Sequence, residues 1–340
     1  MKEEEIAALD FDWDQFTPAQ QAAYAFARKI TFEPHRFADA DIAHLKKHYT
    51  DLQILEMLIS VAGNNSTNRW KEGVGSPQSK DGGGFGRRSK DGKKDGEAKS
   101  KEPPKELAKD APAVLRTFLT PTPEKYQKSI TKVAPIHIDA KTGAPTRDTV
   151  CSRPPLEARA EVEQALENCR KRSPRLPLVE DAAARAALPE DWPAGPLPQW
   201  VRLLANFPVD GKNRAVGFRS AEVKGDLEPV LKAQLSWIIA RQDRAWYAVG
   251  LARQRLKELG QSDEQIYQLD GAWQNFSPRE RALFTVARNL AASPIVLTDD
   301  DVERAVKVAG PRDVVQTISY TTSRAAFDRI TEAAGLQLER

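Results

Sequence analysis

Residues 277–290 read SPRERALFTVARNL, and residues 17–30, 260 positions earlier, read TPAQQAAYAFARKI. Each stretch opens with a hydroxyl residue and a proline, and carries glutamate or glutamine three places after the hydroxyl. That is the pattern of a capping box with proline in the first helical turn. Apolar residues then recur at helical spacing, as in Leu283, Val286, Ala287 and Leu290, so both stretches are predicted to be helices.

The offset extends outward. Residues 4–70 align without a gap onto 264–330, and Trp13, Phe16, Asp39, Asp41 and Arg69 recur as Trp273, Phe276, Asp299, Asp301 and Arg329. Such a constant period marks an internal repeat. In each copy a second helix follows Asp39 or Asp299. In the second copy Gly310 is the predicted stop of that helix, and a closing helix over 311–334 ends at Gly335. Upstream, 229–259 is predicted as one long helix interrupted only by Gly250. The fold class is therefore all-α, with two helical units. The first unit, 1–70, is incomplete, because Met1 matches position 261 and the counterpart of the 229–259 helix is missing.

Between the units, 71–113 is rich in glycine, serine and mixed charge, with almost no large apolar residue, which predicts a disordered linker. Residues 114–196 are proline-rich, with one clear helix near 156–172. Trp192 and Trp200 are expected to pin this region to the globular second unit at 197–340, where packing, cover or a lid is the role it suggests.

Lys and Arg outnumber Asp and Glu by 51 to 48, a net charge of +3 that gives no argument for nucleic acid. No apolar run reaches the roughly 18 residues of a membrane span, and the start has no signal-peptide pattern, so the expected location is cytoplasmic. Cys151 and Cys169, 18 apart, suit neither a disulfide framework nor a redox pair, and free thiols are expected.

The order of elements over 197–339 resembles the helical domain of the alkylhydroperoxidase D and carboxymuconolactone decarboxylase superfamily. The resemblance rests on the long helix ending near Gly260, then Phe276-Ser277-Pro278-Arg279-Glu280-Arg281-Ala282, Leu297-Thr298-Asp299-Asp300-Asp301, and Ala326-Phe327-Asp328-Arg329 before Gly335. In the peroxidase branch the long helix carries a CxxCxxxH motif. Its positions fall, within a turn, on Ala245, Ala248 and Ala252. Without a thiolate there is no nucleophile for a peroxide, so the redox mechanism does not carry over. What the resemblance implies is a redox-dead protein that binds a small ligand or scaffolds an oligomer. The alternative is a cysteine-independent lyase or hydrolase acting on a small carboxylate. No histidine lies in 138–340, so any acid-base role there falls to a carboxylate or a tyrosine.

On the long helix, Gln234, Arg241 and Gln242 fall within the apolar face. A buried guanidinium needs a partner. That partner is either a carboxylate of a neighbouring helix, with Asp270 as the candidate, or a small organic anion, which a guanidinium flanked by amides would suit. His44 and His48, with Asp41 before them, have a spacing that could chelate a metal. The second copy lacks them and lysines flank them, so a solvated face is the expectation. His35 and His137 add nothing to such a site. Trp13 and Trp273 read as core anchors. No metal and no cofactor is expected. The expected partners are a small organic anion and further copies of the chain, with neither nucleic acid nor membrane.

Overall fold

The computed structural model describes residues 16–76, 156–293 and 295–339, and every regular element among them is helical. In chain order these are α1 (Pro18–Phe32), α2 (Asp39–Leu45), α3 (Asp51–Gly73), α4 (Arg159–Arg170), α5 (Asp181–Ala186), α6 (Gln199–Leu204), α7 (Asp210–Val223), α8 (Pro229–Asp243), α9 (Trp246–Glu258), α10 (Asp263–Gln268), α11 (Pro278–Ala291) and α12 (Asp299–Ala333), with a 3-10 turn at Pro34–Arg36.

Both predicted capping boxes form. The Gln20 amide donates to Thr17 Oγ1 at 3.3 Å while the Thr17 amide donates to Gln20 Oε1 at 3.0 Å. The Glu280 and Ser277 pair does the same at 3.2 and 2.8 Å. Gly310 adopts φ 83°, a conformation that favours glycine, and divides α12 in two. Helix starts at Pro18 and Pro278, Asp39 and Asp299, and Asp51 and Pro311 are each 260 residues apart. Side-chain pairs recur at matched positions as well: Lys29 donates to Asp41 at 2.7 Å and Asn289 to Asp301 at 3.0 Å.

One expectation fails. The 229–259 stretch is two helices, because Arg244 sits in the left-handed region at φ 53° and closes α8. The Ala245 amide donates to the Ala240 carbonyl and the Arg244 amide to that of Arg241. This double bond pattern is a Schellman ending, which usually places glycine where Arg244 stands. A side chain there costs on the order of 1 kcal/mol. The Arg244 guanidinium is tied to Glu157, which offsets that cost.

The 311–333 part of α12 is the central element. α12 packs along α11, along α8 and, from the first unit, along α3. One continuous core joins Ile30, Ile54 and Leu58 to Leu283, Val286, Ile318 and Ile330. Two arginines 260 apart fasten the units across this core. Arg329 pairs with Asp243 at 2.8 Å and donates to the Thr31 carbonyl near the end of α1 at 3.4 Å. Arg69 donates to the Ala292 carbonyl at the end of α11 at 3.4 Å. Both also donate to Ser293 Oγ, at 3.0 Å from Arg329 and 2.7 Å from Arg69. Each guanidinium thus reaches the C-terminal, electronegative end of a helix in the other unit.

The linker boundary also moves. Residues 71–73 form the last turn of α3, and the predicted linker from 77 onward, like Trp13, Cys151 and His137, lies outside the described residues. The helix expected near 156–172 is α4, and no described helix is long and apolar enough to cross a membrane.

The fit between α3 and α12 is tight at Gly73, where an added Cβ would lie 2.7 Å from Ile318 Cγ2, whereas at Gly217 in α7 it would meet nothing within 4 Å. Gly73→Ala is expected to lower stability in urea unfolding by about 1–3 kcal/mol through overpacking. Gly217→Ala should raise it by about 0.5–1 kcal/mol through helix propensity. Equal effects at the two positions would contradict this packing.

Candidate functional site

Arg241, on α8, is fully buried. Its Nε donates to Asp270 Oδ2 at 3.1 Å, Nη1 to Glu157 Oε2 at 3.0 Å and Nη2 to the Glu157 carbonyl at 2.8 Å. Asp270, the carboxylate expected from the sequence, also accepts from Trp237 Nε1 at 2.8 Å. Burial raises the Asp270 carboxyl above its ordinary range against the pull of Arg241. For Glu157, hydrogen bonds and the two arginines Arg244 and Arg241 outweigh burial and lower it. The guanidinium face that an organic anion would need is therefore occupied by protein. Gln234 and Gln242 make no hydrogen bond to Arg241. Gln234 is buried with its Oε1 unpaired, and Gln242 is half-buried.

A cavity of about 490 Å³ lies one face away, between α7, α8, α9, α12 and the proline-rich stretch 192–198. Arg241 does not line it. Its apolar wall is aromatic. The Phe327 ring meets Trp200 and Phe218 edge-on with centroids 5.5 and 5.3 Å apart, and Trp192 lies 6.2 Å from Trp200. Trp192 and Trp200 so join the proline-rich region to the core. Ala252, at the position matched to the peroxidase histidine, lines this cavity, whereas Ala245 and Ala248 are wholly buried and do not.

Its polar wall comes from four helices. Glu222 of α7 accepts from Arg324 Nη1 of α12 at 3.1 Å and from Tyr320 Oη at 2.7 Å, and pairs with Arg255 of α9. Ser236 of α8 lies 2.6 Å from Tyr320 Oη. Arg324 stacks on Phe327 at 3.9 Å, and Arg219 stacks on Trp192 at 5.2 Å. None of Glu222, Ser236, Arg255, Tyr320 or Arg324 stood out in the sequence. The faint signal was a charged residue, Arg324, inside the apolar pattern of the closing helix.

Below Arg324, at 3.9 Å, Asp328 is completely buried with neither carboxyl oxygen hydrogen-bonded. Burial raises its carboxyl well above the ordinary range, against Arg324. Cys169 is equally inert: its Sγ donates to the Leu336 carbonyl at 3.6 Å, and burial pushes the thiol up to about 11. His44 and His48 are exposed and stack edge-on at 5.9 Å, while Asp41 is engaged by Lys29. His35 is held neutral, lowered to about 4 by burial and then by Arg244 and Arg36. Among the described residues no group of three side chains could hold a metal ion. Trp273 is buried against Phe284. No family model, curated protein or solved structure matches the chain.

Two outcomes follow from these burials. Arg241→Ala leaves Glu157 and Asp270 without their shared cation, and is expected to cost about 3–5 kcal/mol in urea unfolding. A loss below about 1 kcal/mol would show that the pairing is not structural. For Asp328 the sign is opposite. Above pH about 4 the unfolded chain ionises this carboxyl while the folded chain keeps it protonated, so the group costs stability that grows as pH rises. Asp328→Asn should therefore raise Tm more at pH 8 than at pH 5. A gain that is equal at both, or a loss at pH 8, would contradict the neutral buried acid.

Proposed function

We propose that the protein is a small-ligand-binding member of the alkylhydroperoxidase D-like fold, without redox chemistry, and that the cavity beside Arg324 takes a small organic monoanion with an aromatic or branched body. The observation that carries this reading is the charge on the wall. Arg219, Glu222, Arg255 and Arg324 line the cavity, and Asp191, outside the lining, lies 3.8 Å from Arg219. Asp328, whose carboxyl burial raises well above the ordinary range, lies 3.9 Å from Arg324 and does not line the cavity. Three cations against two carboxylates leave one positive charge in a site walled by aromatic rings. A carboxylate can meet such a guanidinium with paired hydrogen bonds where water is scarce.

The size is in the range of small-molecule sites, with apolar walls and few convergent polar groups. The alanines at 245, 248 and 252 support the absence of thiol chemistry. The match of helix starts at a 260-residue offset supports a duplicated unit, with the first copy serving as a packing partner for α12.

Isothermal titration calorimetry with phenylacetate and its uncharged amide tests the reading. The acid is expected to bind at least about 10-fold tighter than the amide. Arg255→Gln, which retains much of the side chain's length, should remove most of that difference. Equal binding of acid and amide, or no binding of any arylacetate or branched-chain acid, would overturn it.

A further inference from the structure

Resting on that reading of the cavity, we infer that Ser236, Tyr320 and Glu222 form a directed hydrogen-bond chain that makes the site selective for hydroxy acids over their oxo counterparts. The argument is a proton count. The Tyr320 hydroxyl lies 2.7 Å from Glu222 Oε1 and 2.6 Å from Ser236 Oγ, and it has one proton to give. A carboxylate facing two guanidinium groups is an acceptor only, so the tyrosine proton goes to Glu222. The contact with Ser236 then needs a proton of its own, and the only one left is the serine's. Ser236 must donate to Tyr320.

The consequence falls on the cavity side. Ser236 is buried and lines the cavity, and with its proton committed it can offer a ligand only lone pairs. The polar wall thus combines cationic donors, Arg255 and Arg324, with one fixed acceptor. The complementary molecule carries a carboxylate for the guanidinium groups and a hydroxyl for Ser236. A carbonyl at the hydroxyl position would set acceptor against acceptor in a desolvated site, which binding sites built for a hydroxyl discriminate against strongly. An ammonium donor would meet the excess positive charge of the wall, so a hydroxyl is the favoured group. The chain is held in place from behind. Tyr320 is buried within α12 and Glu222 is gripped by Arg324 and Arg255, so the direction of the protons is set by the fold and not by the ligand.

Calorimetric titration of the full chain with isosteric pairs, mandelate against phenylglyoxylate and phenyllactate against phenylpyruvate, reads this selectivity. In the wild type at least one hydroxy acid should bind about 10-fold or more tighter than its oxo partner. Ser236→Ala should bring that ratio to within about 3-fold, with phenylacetate titrated alongside as the reference for the anion site. Tyr320→Phe frees the serine proton and should improve oxo-acid binding specifically. Acids that bind with no hydroxy preference in either pair, or a preference that survives Ser236→Ala, would overturn the inference and leave the anion site standing. Failure of every acid, phenylacetate included, would overturn both.

Discussion

A guanidinium taken out of water has to find acceptors, and α12 and α3 each carry one such group that organises much of this fold. Arg329 finds Asp243 on α8 and the carbonyl end of α1, and Arg69, 260 residues earlier, finds the carbonyl end of α11. These bonds fix how α3 and α12 lie against each other. Removal of either arginine would strand buried helix ends and, for Arg329, the Asp243 carboxylate. The difference between the two is itself informative. Among the described residues Arg69 has no ion pair with a carboxylate, and burial, then Arg329, lower it to about 9.

Local signals in the chain were readable because they act over three or four residues. Thr17 with Gln20, Ser277 with Glu280, Gly310 and Gly335 each mark a boundary by their own chemistry, and the structure places helix ends there. The break after Asp243 was not readable for the same reason: the left-handed position holds Arg244 instead of glycine. What permits it is Glu157, 87 residues away. Asp270 could be anticipated as a partner of Arg241, since it lies on the segment that follows the same helix pair. Glu157 could not, because nothing in its neighbourhood marks it.

The cavity escaped the sequence for a further reason. Glu222, Ser236, Arg255 and Tyr320 come from four helices, and none belongs to a spaced motif. Periodicity pointed to Arg241 as the odd charge on α8, whereas the charge that faces open space is Arg324 on α12, three hydrogen bonds from Ser236. An angular argument finds a polar residue on an apolar face. It does not tell whether the far side of that residue is a carboxylate or a cavity.

The resemblance places a cysteine pair and a histidine where this chain has alanines, and only Ala252 borders the cavity. The chemistry of that cavity is set by arginines and aromatic rings, and the proline-rich stretch around Trp192 closes it on one side. The most direct measurement is a crystal structure of the protein with phenylacetate. The carboxylate is expected within hydrogen-bonding distance of Arg255 or Arg324, with the ring among Trp200, Phe218 and Phe327. An empty cavity beside a ligand bound elsewhere, or a cavity filled by the protein's own carboxylates, would contradict the account.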